Sequence, residues 1–303
     1  MYIFLKKIYH KLSNSNFSKV LKPICDFLFI CDYKLLCLYS RIMGEKMPTS
    51  QEIELMKNNV TVIFKSFERQ NRAKQLYKCI QKYYPGIRVI IADDSSKPLE
   101  LRDQYLEVIQ LPFNCGVSYG LNRAIEKVNT PFLIRLDDDE LLTPATKFHK
   151  HLIFLQEHPE VDIVAVLYKN HFRPLNLESV LQQYYVQPMN NAPKKLLIPH
   201  MTPIDTTHIV LGKPPQILIA RTDIVKKIGY DDNIRMIDHN EFFFRAAGVA
   251  VSVVDTTSYV YHGHNVFDKH YNFYRNDYKG DIAYIKEKAK RLIQEEKSKI
   301  IDS

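Results

Sequence analysis

Residues 130–140 read TPFLIRLDDDE. Phe132, Leu133, Ile134 and Leu136 make a short run of strand-favouring apolar residues that stops abruptly at three aspartates. Polar residues that begin only where a strand ends lie at the rim of a sheet, and in open α/β sheets ligands bind outside the carboxyl ends of the strands. Two earlier segments repeat the plan. VTVIF at 60–64 runs into Lys65-Ser66-Phe67-Glu68-Arg69, and RVIIA at 88–92 runs into Asp93-Asp94-Ser95-Ser96. Three polar clusters therefore converge on one rim, which is the expected site.

Working outward, the pattern predicts a helix over 72–83, closed by Tyr84-Pro85-Gly86, and a strand over 107–111. A helix over 118–128, a helix opened by Pro144 and a strand over 162–167 follow. Such alternation implies an α/β fold, a mostly parallel sheet flanked by helices. The expected organisation is a basic amphipathic segment at 1–50, a linker at 44–51, a catalytic domain at 58–270 and a charged C-terminal helix at 271–303. That last helix carries Ile282, Ile285, Ala289, Leu292 and Ile293 on one stripe. Residues 168–215 are rich in Tyr, Pro, His and Asn, which suits either stacking on a ligand ring or an irregular surface insertion.

The chain has 303 residues, 46% of them hydrophobic, enough for one large core with appendages. Its net charge of +8 is concentrated near the start, where residues 1–50 hold eight Lys and Arg against three acidic residues. Lys22, Asp26, Asp32 and Lys34 interrupt the best apolar run, so no spanning helix and no signal peptide is expected. A basic, aromatic-rich segment of this kind suits peripheral contact with an anionic membrane. The resulting expectation is a cytoplasmic protein, peripheral on the cytoplasmic face of the inner membrane. Five cysteines without a CxxC pair fit a reducing compartment, and no zinc-binding spacing accompanies the eleven histidines. Nucleic-acid binding would rest on the basic charge alone, with no supporting motif.

The rim also lacks GxGxxG and GxxxxGK[ST], the loops that cradle phosphate with backbone N–H groups. Asp137, Asp138 and Asp139 would repel one another if unpaired. A divalent cation, manganese or magnesium, is an economical partner because it bridges carboxylate and diphosphate oxygens.

The stretches VTVIFKSFERQNR (60–72), YYPGIRVIIADDSSKPLE (83–100), LPFNCGVSYGLNRAI (111–125), TPFLIRLDDDE and ILIARTDIVKKIGYDDNIRMIDHNEFFFRA (217–246) together resemble the GT-A glycosyltransferases of the family-2 type. The likeness is nearest to the β-1,4-N-acetylgalactosaminyltransferases and covers roughly 60–268. It implies a Rossmann-like GT-A domain and an inverting, metal-dependent transfer of a hexosamine or hexose from a UDP-sugar to a glycan acceptor. By the same resemblance Asp93 faces the uracil, with Ser66 and Arg69 near the nucleotide. Asp93 and Asp94 also suit a turn or cap, a common use of Asp before Ser. Asn114, Gly116 and Arg123 match the family's Asn-x-Gly loop and following helix. In the family's DxD arrangement Asp139 binds the metal and Asp137 lies near the ribose, with Asp138 between them. His262 or His264 supplies a further ligand. Glu241 aligns with the family's acidic base and Asp238 is the reserve, although Glu241 also suits a first-turn helix acid. A nucleotidyltransferase of similar fold would carry a Gly-rich phosphate loop after the first strand, where this chain has KSFERQNR; a non-catalytic glycan-binding scaffold would have no use for the metal, nucleotide and base candidates together.

Overall fold

The structure, a computed structural model, describes residues 18–170, 192–265, 267–275 and 278–301. The first part of the basic segment, residues 1–17, and residues 171–191 of the long insertion lie outside the described residues.

Three parallel strands and a fourth build one half of the sheet: β1 (Val60–Ser66), β2 (Arg88–Asp93), β3 (Leu106–Gln110) and β4 (Phe132–Asp137), in the order β3-β2-β1-β4. β1 connects to β2 through α3 (Gln70–Tyr83), β2 to β3 through a loop, and β3 to β4 through α4 (Val117–Glu126), which crosses back to the far side of β1; the two helices cover opposite faces. The strands alternate. Val62, Phe64, Val89, Ile91, Ile134 and Leu136 point to one buried face, while Ile63, Ile90, Ala92 and Leu133 point to the other. Fully burying one such aliphatic side chain contributes about 1.5–3 kcal/mol, so the two-sided burial accounts for these near-continuous apolar runs.

The second half pairs distant segments. Beyond β4 come β8 (Leu218–Arg221), antiparallel to β4, then β6 (Ile163–Asn170), then β9 (Ser252–His262) and the two-residue β5 (Glu140–Leu141). β7 (His208–Val210) adds to β9 from the other direction. β6 and β9 run parallel, with a register shift that leaves Thr256–Ser258 outside the pairing. After that bulge β9 resumes and sets His262 opposite Glu140, directly behind the acidic triplet.

Helices α5 (Phe148–Glu157), α6 (Thr222–Ile228), α7 (Asp238–Ala246), α8 (Lys269–Arg275) and α9 (Lys279–Ile301) complete the cover. α5 starts later than Pro144 predicts, because Thr143 and Thr146 first form a turn whose hydroxyls both donate to the Tyr259 carbonyl. The expected linker is also shorter. α2 (Ser50–Asn59) begins inside it, where Thr49 and Glu52 form a reciprocal capping box.

α1 (Ser18–Ile42) packs on the domain with one face only. Cys25, Phe29 and Leu36 are buried, while Val20, Ile24, Phe27, Leu28, Leu35 and Leu38 are exposed. Phe29 lies edge-on to Tyr261, with ring centroids 4.9 Å apart, and under the Arg72 guanidinium at 4.1 Å. Gly263 is required there, since a Cβ at that position would overlap the Phe29 ring. Among the described residues no helix is long and apolar enough to cross a membrane. All five cysteines are free thiols.

Candidate active site

Strand register assembles the rim. Ser66 pairs with Asp93, and Lys65 lies between Ala92 and Asp137, so the polar ends of β1, β2 and β4 sit side by side. Asp137 is the outermost of the triplet, its side chain 41% exposed, whereas Asp138 and Asp139 are 4% and 5% exposed.

Charge in the triplet is met partly by protein. Arg69 reaches across from the end of β1 to Asp138 and, at 2.9 Å, to Asp139, with its guanidinium 3.7 Å above the Tyr271 ring of α8. Arg135, almost wholly buried, binds Asp137 at 2.8 Å. A cation is the expected partner for this charge, and two arginines also stand among the aspartates. The three carboxylates nevertheless differ. Burial, opposed by Arg69, pushes Asp138 up to about 7. Against the same burial, Arg69 and then His262 hold Asp139 well below the usual carboxylate range.

His262 Nε2 and His264 Nδ1 flank Asp139 at 3.7 and 3.9 Å from its two oxygens. Burial pushes His262 down, which keeps a lone pair on its ring, and its Nδ1 is positioned by Asn170 at 2.8 Å. The two rings lie parallel with centroids 6.5 Å apart, so they flank the carboxylate without converging on one point. Asp138 Oδ2 is buried and has no hydrogen-bond partner among the described residues. An ionised carboxylate, an imidazole lone pair and an orphaned carboxylate oxygen fit a divalent cation, with Arg69 sharing or yielding the same oxygens.

The two candidate bases are separated. Asp238, at the start of α7, faces the rim, 3.8 Å from Arg135 and 3.0 Å from the Gln216 amide. Burial, opposed by Arg135 and reinforced by Asp137, pushes it up to about 6. Glu241 points the other way. Both its oxygens are taken by Arg245, and Lys288 of α9 binds it at 2.6 Å. The aromatic run after Glu241 does bury it, but among cations and away from the triplet.

On the nucleotide side, Ser66 is buried with its hydroxyl unpartnered among the described residues. Asp93 is spent locally, accepting from the Ser95 hydroxyl at 2.6 Å and the Leu99 amide at 2.8 Å, which is the turn-capping use. Asp94 binds Lys65 at 2.5 Å and accepts from the Gly116 amide at 3.3 Å. Asn114 and Gly116 both take positive φ, and a Cβ on Gly116 would come within 2.9 Å of Arg235 Cα, so the loop must have glycine there. Arg123 lies off the rim, paired with Glu126 and Asp232 on the surface. A cleft of about 660 Å³ opens beside the triplet, bounded by Glu68, Arg69, Ser95, Ser96 and the α1 residues Lys22 and Asp26.

This arrangement of a parallel βαβ half, an acidic rim and a returning strand has known counterparts. The model described as glycosyl transferase family 2 matches residues 61–213, half of the chain. The chain belongs to that family. Within it, the chain is 33% identical over 202 residues to the beta-1,4 N-acetylgalactosaminyltransferase 2 of Mus musculus, covering 64% of this chain and 37% of that protein. It is 29% identical over 199 residues to the beta-1,4 N-acetylgalactosaminyltransferase 1 of Homo sapiens, covering 62% and 36%. The chain thus spans little more than a third of the curated relatives it matches. The crystal structure of S. aureus TarS superposes with a TM-score of 0.50 at 19% identity, covering 68% of this chain and 37% of that one, and shares the GT-A fold.

Sequence reasoning missed Arg135, Tyr271 and the aromatic trio Phe67, Phe113 and Tyr274, whose rings meet at 5.2–5.7 Å beside the Asn114–Gly116 turn. Arg135 had a signal: a lone arginine inside an apolar strand must find buried acids.

Proposed function

We propose that this family-2 glycosyltransferase moves a hexosamine or hexose from a UDP-sugar to a glycan acceptor with inversion at the anomeric carbon. The observation that carries the reading is the buried Asp138–Asp139 pair with His262 behind it and Asp238 across Arg135. A divalent cation, when bound, supplies Lewis-acid stabilisation of the departing diphosphate, and Asp139, Asp137 and His262 or His264 are the residues that would hold it. Ser66 offers an unspent hydroxyl to the nucleotide, and the half-exposed Phe113 ring offers a stacking face for the base.

Asp238 is the base in this reading. Arg135 orients its carboxylate, and a value of about 6 leaves it ionised yet basic enough to take the acceptor hydroxyl proton near neutral pH. Glu241 is an anchoring acid for α7 and α9. The test is a panel of nucleotide sugars with and without manganese, scored for nucleotide release in the presence of glycan acceptors. Manganese-dependent release from UDP-sugars is the expected result; release from no UDP-sugar would sink the donor assignment.

The exposed apolar face of α1, flanked by the lysine-rich start of the chain, supports peripheral contact with anionic lipid at the cytoplasmic face of the membrane. Vesicles containing anionic lipid should float the wild type, and the double substitution Phe27→Glu and Leu35→Glu should release it. Equal flotation of both would remove the membrane reading.

A further inference from the structure

At the opposite end of β9 from His262, two histidines and an aspartate meet inside the protein. His208 on β7 is the direct register partner of Asp255 on β9, and α5 lays His151 against both. One nitrogen of each histidine and one Asp255 oxygen all lie within 4.8 Å of one another, and the three residues are only 1–7% exposed. His151 Nε2 is 2.9 Å from Asp255 Oδ2, so without a metal this nitrogen donates its proton to that oxygen, and a bound cation takes the place of the proton between them. The other Asp255 oxygen accepts from the backbone and hydroxyl of Thr257, inside the bulge of β9.

Hydrogen bonding directs one ring toward the centre. His208 Nδ1 lies 2.9 Å from Asp205 Oδ2, a carboxylate acceptor, so the proton resides on Nδ1 and the lone pair on Nε2. That Nε2 is buried and has no hydrogen-bond partner among the described residues. A buried acceptor without a donor costs about 1–3 kcal/mol, yet Asp205 enforces it. A carboxylate that holds one nitrogen of a buried histidine and leaves the other free is the arrangement that outer-shell partners give to metal-bound imidazole. Aromatic rings wall the pocket, with Phe154 stacked 3.8 Å from His208 and Phe148 edge-on to His151 at 5.9 Å.

We propose that His151, His208 and Asp255 bind a zinc ion that ties α5 and β7 to β9, separate from the cation of the catalytic rim. Two imidazole nitrogens and one carboxylate oxygen are zinc ligands, with the fourth tetrahedral position left to water. Magnesium, which prefers an all-oxygen shell, does not suit the site. The ligands stand about fifty residues apart in sequence and share no short motif, which is why the chain reads as lacking a zinc site.

The full-length protein, loaded with zinc chloride and dialysed against metal-free buffer, should retain about one zinc per chain by mass spectrometry. His208→Ala and His151→Ala should reduce that to near zero, while Asp139→Ala at the rim should leave it unchanged. Stripping the wild type with dipicolinate should lower its Tm by about 5 °C, and zinc but not magnesium should restore it, a readout that needs no variant to fold. Cobalt(II) added to the stripped protein should give the visible absorption of a tetrahedral nitrogen and oxygen site. A wild type that holds no zinc after loading, or a zinc content unchanged in both histidine variants, would overturn the proposal. Retention of iron in place of zinc would overturn the choice of ion.

Discussion

The two halves of the sheet do different work. In the parallel half, β3-β2-β1-β4, each polar rim residue follows its own strand, and the β1–β2 and β2–β3 neighbours are consecutive in sequence, with β4 returning beside β1. In the other half, β8, β6, β9 and β5 bring together segments from about fifty to about a hundred and twenty residues apart, and this half carries His262, His264 and, through α7, Asp238. The difference teaches that an acidic rim can be built by local βαβ logic, whereas placing the proposed base and the proposed far ligand against it requires long-range register.

That contrast can be broken most sharply at the seam, where Asp139 of the first half meets His262 of the second. Asp139→Ala should remove several kcal/mol of leaving-group stabilisation, a loss on the order of 10³-fold in manganese-dependent turnover. A variant within tenfold of wild type would detach the triplet from the chemistry. Next come the two acids of α7. Asp238→Asn should lower transfer on the order of 10²- to 10⁴-fold with donor KM unchanged. Glu241→Gln should instead cost stability, about 3 kcal/mol for a broken buried ion pair, seen as a lower Tm. The reverse pattern would return the base role to Glu241.

Acidity offers a finer cut. A base must be unprotonated, so with Asp238 near 6 the rate should rise about tenfold per pH unit below that value and level off above it. A flat profile from pH 5 to 8 would disconnect Asp238 from the rate-limiting proton transfer. The smallest effect belongs to Arg123→Ala, within about 0.5 kcal/mol in stability and twofold in rate, because its ion pairs with Glu126 and Asp232 are solvent-screened.

Legibility follows the same division. The strands of the parallel half fall close to where the apolar runs predict: β1, β2 and β4 are lengthened by a residue or two because Lys65, Ser66, Asp93 and Asp137 still pair across the sheet, and β3 lies one residue earlier than expected. The rim could be read because polarity switches on at strand ends. What could not be read depends on partners remote in sequence. The preference for Glu241 over Asp238 came from the resemblance; Arg245 stands in the same stretch four residues on, but Lys288 arrives from the last helix and is not visible in a base motif. The C-terminal helix docks through Asp281, which accepts the Met236 and Ile237 amides, and through Lys288, while Ile282 of its expected apolar stripe stays exposed. Asp93 was assigned to uracil by resemblance, and its oxygens are occupied by the turn it caps.

Gly263 sits between the two rim histidines with the Phe29 ring laid over it. A fragment trimmed of its leading helix for better solubility would therefore lose more than greasy surface: it would lift the clamp from the loop that aims His262 and His264. The proposed lipid contact of this helix and the proposed chemistry of the histidine loop meet at that one residue, so only changes to the outward side of the helix can test the first without disturbing the second.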